Sequence, residues 1–182
     1  MNNYITLMTK VISKSESNFW KQAVDEWEII DCVEREYVNA ECICGKENIK
    51  YLYTIQNRLN NNILFPIGSS CIKKFERKDL EEKTRLNESR FKLLHAIENK
   101  QYISLTSDFF SRKLLKSLYE EGAFNTEFNK YNGYSDYTFL LKMFNKRKKE
   151  DITSKQQSKI NAVLVAAIKP HLQKQLKDKI KK

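Results

Sequence analysis

Four glycines and two prolines are all that 182 residues carry, and this scarcity narrows the fold more than any motif does. Turn-rich sandwiches, flexible linkers and glycine-loop phosphate cradles all draw on glycine or proline at positions that other residues fill poorly. A chain so poor in both is expected to be mostly helix. With 41% hydrophobic and 31% charged side chains, it holds enough apolar material for a core within one or two small domains. The longest uninterrupted apolar run, Ala162 to Ile168, has seven residues, against the roughly 20 of a membrane-spanning helix. Met-Asn-Asn-Tyr at the start lacks the basic-then-apolar pattern of an export signal. The expectation is a cytoplasmic chain with no membrane span.

Periodicity fills in the elements. Ser15 and Ser17 precede Phe19, Trp20, Ala23, Val24 and Trp27 at spacings of three and four, which predicts a short amphipathic helix over 16–26. The β-branched run Glu28 to Glu34 reads as a strand, as do Tyr51–Ile55 and Ile63–Ile67. The last two flank Asn57-Arg-Leu-Asn-Asn-Asn62, a hairpin turn because Asn tolerates positive φ. Beyond Gly68 the pattern is helical. Asp79 with Glu82 opens a helix to about Lys100, and Thr106 or Ser107 opens another, striped by Phe110, Leu114, Leu115, Leu118 and Tyr119 and stopped by Gly122. Ser135 opens a third. Thr153-Ser-Lys-Gln156 is a capping box, and Pro170 starts a final helix with Leu172, Leu176 and Ile180 in one stripe. The fold class is thus α+β, mostly α-helical: a small antiparallel β unit followed by a helical C-terminal lobe. A soft boundary near 100–105 gives lobes 1–102 and 103–182, although two lobes of one domain would look the same. The default role of the 21 aromatics is core.

The formal charge of +10 is unevenly placed. Residues 1–141 hold 20 basic and 20 acidic side chains, whereas 142–182 hold 13 and 3. Asp25 to Glu47 carries eight acids against Arg35 and Lys46. The basic tail offers Lys146, Arg147, Lys148, Lys149, Lys155, Lys159, Lys174 and Lys177 as groups that could neutralise phosphates or meet an acidic partner. A solvated helical face is the plain alternative.

Cys42-Ile-Cys44-Gly45 presents two thiols from one tight turn, with glycine allowing both sulfurs to converge on one ion. Cys71 lies 27 residues past Cys44, after Pro66-Ile-Gly-Ser-Ser70. A hydroxyl residue there can cap a helix and place Cys71 in its first turn, where the helix N-terminus favours a thiolate. Knuckle, hairpin and helix-borne cysteine together resemble a compact treble-clef-like zinc site, in which the zinc is structural. A closed structural site has four ligands. Cys32 is the natural fourth, if its strand runs back toward Cys42, and His95, His171, a carboxylate or water compete with it. Ordinary buried small side chains are the alternative for all four cysteines. Neither a phosphate-loop motif, nor His-Glu-x-x-His, nor Gly-x-Ser-x-Gly occurs in the sequence. Adjacent acids such as Glu81 and Glu82 point apart on a helix. A non-enzymatic chain without a small-molecule substrate is expected.

Three stretches carry a family resemblance: Cys42-Ile-Cys-Gly-Lys, Ile49-Lys-Tyr-Leu-Tyr-Thr-Ile-Gln-Asn57 and Leu64-Phe-Pro-Ile-Gly-Ser-Ser-Cys-Ile-Lys-Lys-Phe75. Together they resemble a small zinc-binding module of Firmicutes phage and prophage proteins. Met143-Phe-Asn-Lys-Arg147 and Thr153-Ser-Lys-Gln-Gln157 are similar to the tails of such proteins, so the likeness touches about half the chain. It departs at Asn48, just after the knuckle, where some such proteins carry a histidine-like position. The resemblance implies a phage accessory factor acting in the bacterial cytoplasm, of the kind of the metal-containing type II-A anti-CRISPR inhibitors. Its partner would then be a host CRISPR effector nuclease, whose loading of target DNA it blocks. DNA itself, bound in phage replication or recombination, is the alternative partner, and a helix-pair transcriptional regulator is a third.

Overall fold

The computed structural model describes residues 2–37 and 39–181. The fold is α+β and mostly helical, in two compact units: Met1–Asn87 with Asp178–Lys182, and Glu88–Lys177. The division runs inside a long helix, ahead of the soft boundary expected near 100–105, and the last residues of the chain belong with the first unit.

The first unit begins with α1 (Asn3–Ile12), an element the sequence reading did not propose. Asn2 caps it by accepting the Tyr4 amide hydrogen at 2.9 Å. Its buried stripe is only Leu7 and Val11. The expected helix over 16–26 is shorter: α2 (Trp20–Ala23) and one 3₁₀ turn, Val24–Glu26. The sheet follows, with β1 (Trp27–Arg35), β2 (Tyr51–Asn57) and β3 (Ile63–Ile67) joined antiparallel. Trp27, Ile29, Tyr53, Ile55 and Ile67 form the buried face. Asn61, in the turn, takes φ +61°, a value that Asn tolerates far better than most residues.

Next come α3 (Ser69–Ile72) and α4 (Lys78–Glu98). The Tyr53 hydroxyl bonds the Thr84 carbonyl at 3.2 Å, tying α4 to the sheet. Cations close the outer edge of β1: Arg77 donates to the Trp27 carbonyl at 2.6 Å and Lys83 to the Ile29 carbonyl at 2.6 Å. Such charges keep an open edge from pairing with another chain. The rest of that edge is taken by β4 (Ile180–Lys181), parallel to Glu34 and Arg35. The sheet is therefore mixed, in the order β3-β2-β1-β4, and Ile180 is a strand residue, not the last member of a helical stripe as expected.

The second unit holds the end of α4, then α5 (Arg112–Glu120), α6 (Tyr134–Asn145), α7 (Ser154–Val163), a π-helical turn over Leu164–Ile168, and α8 (Lys169–Leu176). α5 starts later than expected. Ser111 is its cap, accepting the Leu114 amide hydrogen at 3.0 Å, while residues 106–110 form a turn. Gly122, at φ +79°, ends α5 with the Ala123 amide bonding back to Leu118, a Schellman turn. The Thr153 capping box is formed as read, with both reciprocal bonds present.

Candidate metal centre

Gly45 lets the Cys42–Cys44 segment fold back on itself. It takes φ +87°, its amide bonds the Cys42 carbonyl at 2.8 Å, and the Cys42 amide bonds the Lys46 carbonyl at 2.8 Å. A bridge between Ala40 and Ile49 closes the ribbon beneath this turn. The Ile43 amide then bonds the Pro66 carbonyl at 2.9 Å, pinning the turn to the end of β3. At Gly68 a Cβ would sit 3.1 Å from the Ile49 side chain, so a small residue belongs there. The Gly68 amide donates to Cys42 Sγ at 3.3 Å, and Cys71 follows three residues later in α3. Gly68 itself is the N-cap, with no side-chain cap bond; Ser69 and Ser70 do not play the capping part expected of them.

These constraints bring three sulfurs together. Cys71 Sγ lies 3.2 Å from Cys44 Sγ and 3.6 Å from Cys42 Sγ, and all three fall within 4.8 Å of one another. Each cysteine is 2% exposed and all are free thiols. Tetrahedral zinc with Zn–S of about 2.3 Å spaces its sulfurs by roughly 3.8 Å, whereas a disulfide needs about 2.0 Å. The donor set thus fits a divalent, thiophilic ion. The thiols of Cys42 and Cys71 shift each other in opposite directions. The hydrogen bond from the Cys71 thiol, opposed by burial and helped by the Gly68 amide, holds the Cys42 thiol down to about 5. The same contact, together with burial, pushes the Cys71 thiol up. The helix that carries Cys71, α3, has only four residues.

Cys32 is not in this group. It is buried in β1 opposite Tyr53, which lies opposite Ile67 in β3. Two strand spacings of about 4.8 Å each therefore separate it from the strand that leads into Cys71. Neither histidine joins the cluster among the described residues. His95 sits on α4, and His171 on α8 bonds Glu121 at 3.3 Å. Among the described residues, three ligand atoms and no fourth from Cys, His, Asp or Glu converge here. Sequence reasoning also missed the Gly68 amide as a partner of Cys42, and the only hint of it was a glycine close before Cys71.

The basic residues are dispersed in role. Lys146 Nζ donates to the Asp151 carbonyl at 2.6 Å, and Lys149 Nζ to the Phe144 carbonyl at 2.5 Å and the Met143 carbonyl at 3.2 Å. Lys149 thus serves carbonyls at the end of α6 and Lys146 one in the turn that follows, and burial lowers the pKa of Lys149. Lys159 lies 3.6 Å from Asp136 and 4.5 Å from the Phe139 ring centre. Arg147, Lys148, Lys155, Lys174 and Lys177 are exposed. Among the described residues no helix is long and apolar enough to cross a membrane.

Comparison of the chain with protein-family models, curated proteins and solved structures returns no match.

Proposed function

We propose that Cys42, Cys44 and Cys71 hold one structural zinc ion and that the chain is a non-enzymatic binding protein whose first unit depends on that ion. The observation that carries this reading is the convergence of three buried sulfurs at spacings near those of a tetrahedral thiolate site. Burial supports a structural role, since sulfurs sealed from solvent offer little approach to a substrate. Zinc, when bound, supplies a cross-link between the knuckle and α3, the helix that follows β3. Apparent binding energies for such sites are about 10 kcal/mol, comparable to the whole stability of a small domain.

For the partner, the module's likeness to phage zinc proteins supports an inhibitor that docks on a host type II CRISPR nuclease in the bacterial cytoplasm and blocks target-DNA loading. A net positive chain does not mimic DNA, so the contact would be steric or allosteric. Direct DNA binding has six exposed cations in its favour, Lys159 among them, but loses Lys146 and Lys149 to internal bonds. Purified protein should therefore carry about one zinc per chain and co-elute with the nuclease without retarding labelled duplex DNA at low salt. Retardation abolished by higher salt would favour the DNA reading.

A further inference from the structure

We propose that a cavity of the second unit binds a small amphiphilic anion, an apolar body ending in a single carboxylate. The cavity measures about 350 Å³ and is walled by Ile97, Ile103, Leu164 and Val165, with Lys100 and Asn161 at its polar side. That volume lies in the range of ligand sites, roughly 300–1,000 Å³, which pair an apolar lining with a few polar groups.

Two local features set this cavity apart from a packing gap. Leu164 and Val165 open the π-helical turn, a rare geometry that recurs at functional sites. Within it Leu164, Ala167 and Ile168 are buried, yet Val165 is 56% exposed. Lys100, at φ +52°, stands just after α4 in the left-handed position. Its amide bonds Ile97 at 3.1 Å and the Gln101 amide bonds Ala96 at 3.0 Å. This is the turn where glycine is the usual residue, so a lysine there places a cation at the cavity at some backbone cost.

Lys100 is the charged residue of the lining. One cation beside the side chains of Gln101 and Asn161 matches one carboxylate, and the lining of Ile97, Tyr102, Ile103, Leu164 and Val165 matches a hydrocarbon body. A doubly charged phosphate would call for further cations. None of these residues belongs to the metal centre, so the proposal stands or falls separately from it.

Octanoate is a suitable probe, with octan-1-ol as its neutral counterpart, followed by calorimetry and by amide chemical shifts in the intact chain. Saturable binding of octanoate at millimolar concentration is expected, with shifts confined to 97–103 and 161–165. Lys100→Gln should weaken octanoate about fivefold and leave octan-1-ol unchanged. Val165→Trp, a change at an exposed position, should fill the cavity and abolish both. Absence of saturable binding, shifts centred elsewhere, equal affinity for the alcohol, or indifference to both variants would overturn the proposal.

Discussion

In the first unit the margins of the sheet are held by polar anchors. Glu26 accepts the Glu16 and Ser17 amide hydrogens at 2.8 Å each and the Asn57 amide at 2.6 Å. The side chains of Asn57, Asn60 and Asn62 converge on the Lys14 carbonyl, Arg77 and Lys83 close one edge, and three sulfurs gather at the far end. The second unit is built otherwise. Leu114, Leu115, Leu118, Phe124, Leu140, Ile160, Ile168 and Leu172 are fully buried, and Tyr137 stacks on Tyr119 at 4.5 Å. Polar groups support it at Glu121, which gathers Arg90, Ser117, His171 and Gln175, and at Asn129, which bonds Thr126, Phe124 and Asp136. A small sheet with one buried face leaves its ends and edge for side chains to finish, whereas helices satisfy their own backbone and need only a continuous apolar stripe. The first unit should therefore fail when a single anchor is removed, and the second only when its core is cut.

The largest separation of the two should come from the sulfurs. Cys42→Ser with Cys44→Ser, or chelation, removes a term on the order of 10 kcal/mol. Hydrogen exchange should then show β1, β2 and β3 deprotected while α5 and α7 keep their protection. In the other direction, Phe124→Ala should destabilise the second unit by about 3–5 kcal/mol and leave the zinc content unchanged, read by denaturation and elemental analysis in parallel.

Glu26 gives a pH-dependent version of the contrast. Burial pushes its carboxyl up, but the bonds from Asn57, Glu16 and Ser17 outweigh that and leave it below its ordinary value. A lowered native pKa adds stability that is complete above the ordinary carboxylate range and disappears as pH falls through the lowered value. Glu26→Gln faces its amide hydrogens toward other donors, so it should cost about 1–3 kcal/mol at neutral pH and flatten this part of the acid dependence. Urea midpoints at neutral and acid pH, compared between variant and parent, check both. The smallest effect, about 1 kcal/mol, is expected from Thr153→Ala at the start of α7, measured as a shift of the thermal midpoint.

What the sequence made legible was local. Strands β1 to β3, the asparagine turn, the Gly122 stop and the Thr153 box all follow from residues within a few positions of one another. α1 was missed because Leu7 and Val11 alone make too thin a stripe to stand out. β4 has only two residues and exists through pairing with Glu34 and Arg35, nearly 150 positions away in the chain, so Ile180 looked helical. Cys42, Cys44 and Cys71 could be grouped because a tight turn and a helix start fix where their sulfurs go. Cys32 could not be placed, since its distance from the others depends on strand order. Lysine counts showed where charge accumulates along the chain, but not that Lys146 and Lys149 turn back to backbone carbonyls.

The decisive measurement is elemental analysis of freshly purified protein beside its Cys42→Ser, Cys44→Ser and Cys32→Ser variants. The account predicts about one zinc per chain in the parent and in Cys32→Ser, and loss of zinc in the other two. A parent without zinc, or a Cys32→Ser variant that loses it, would contradict the three-sulfur centre described above.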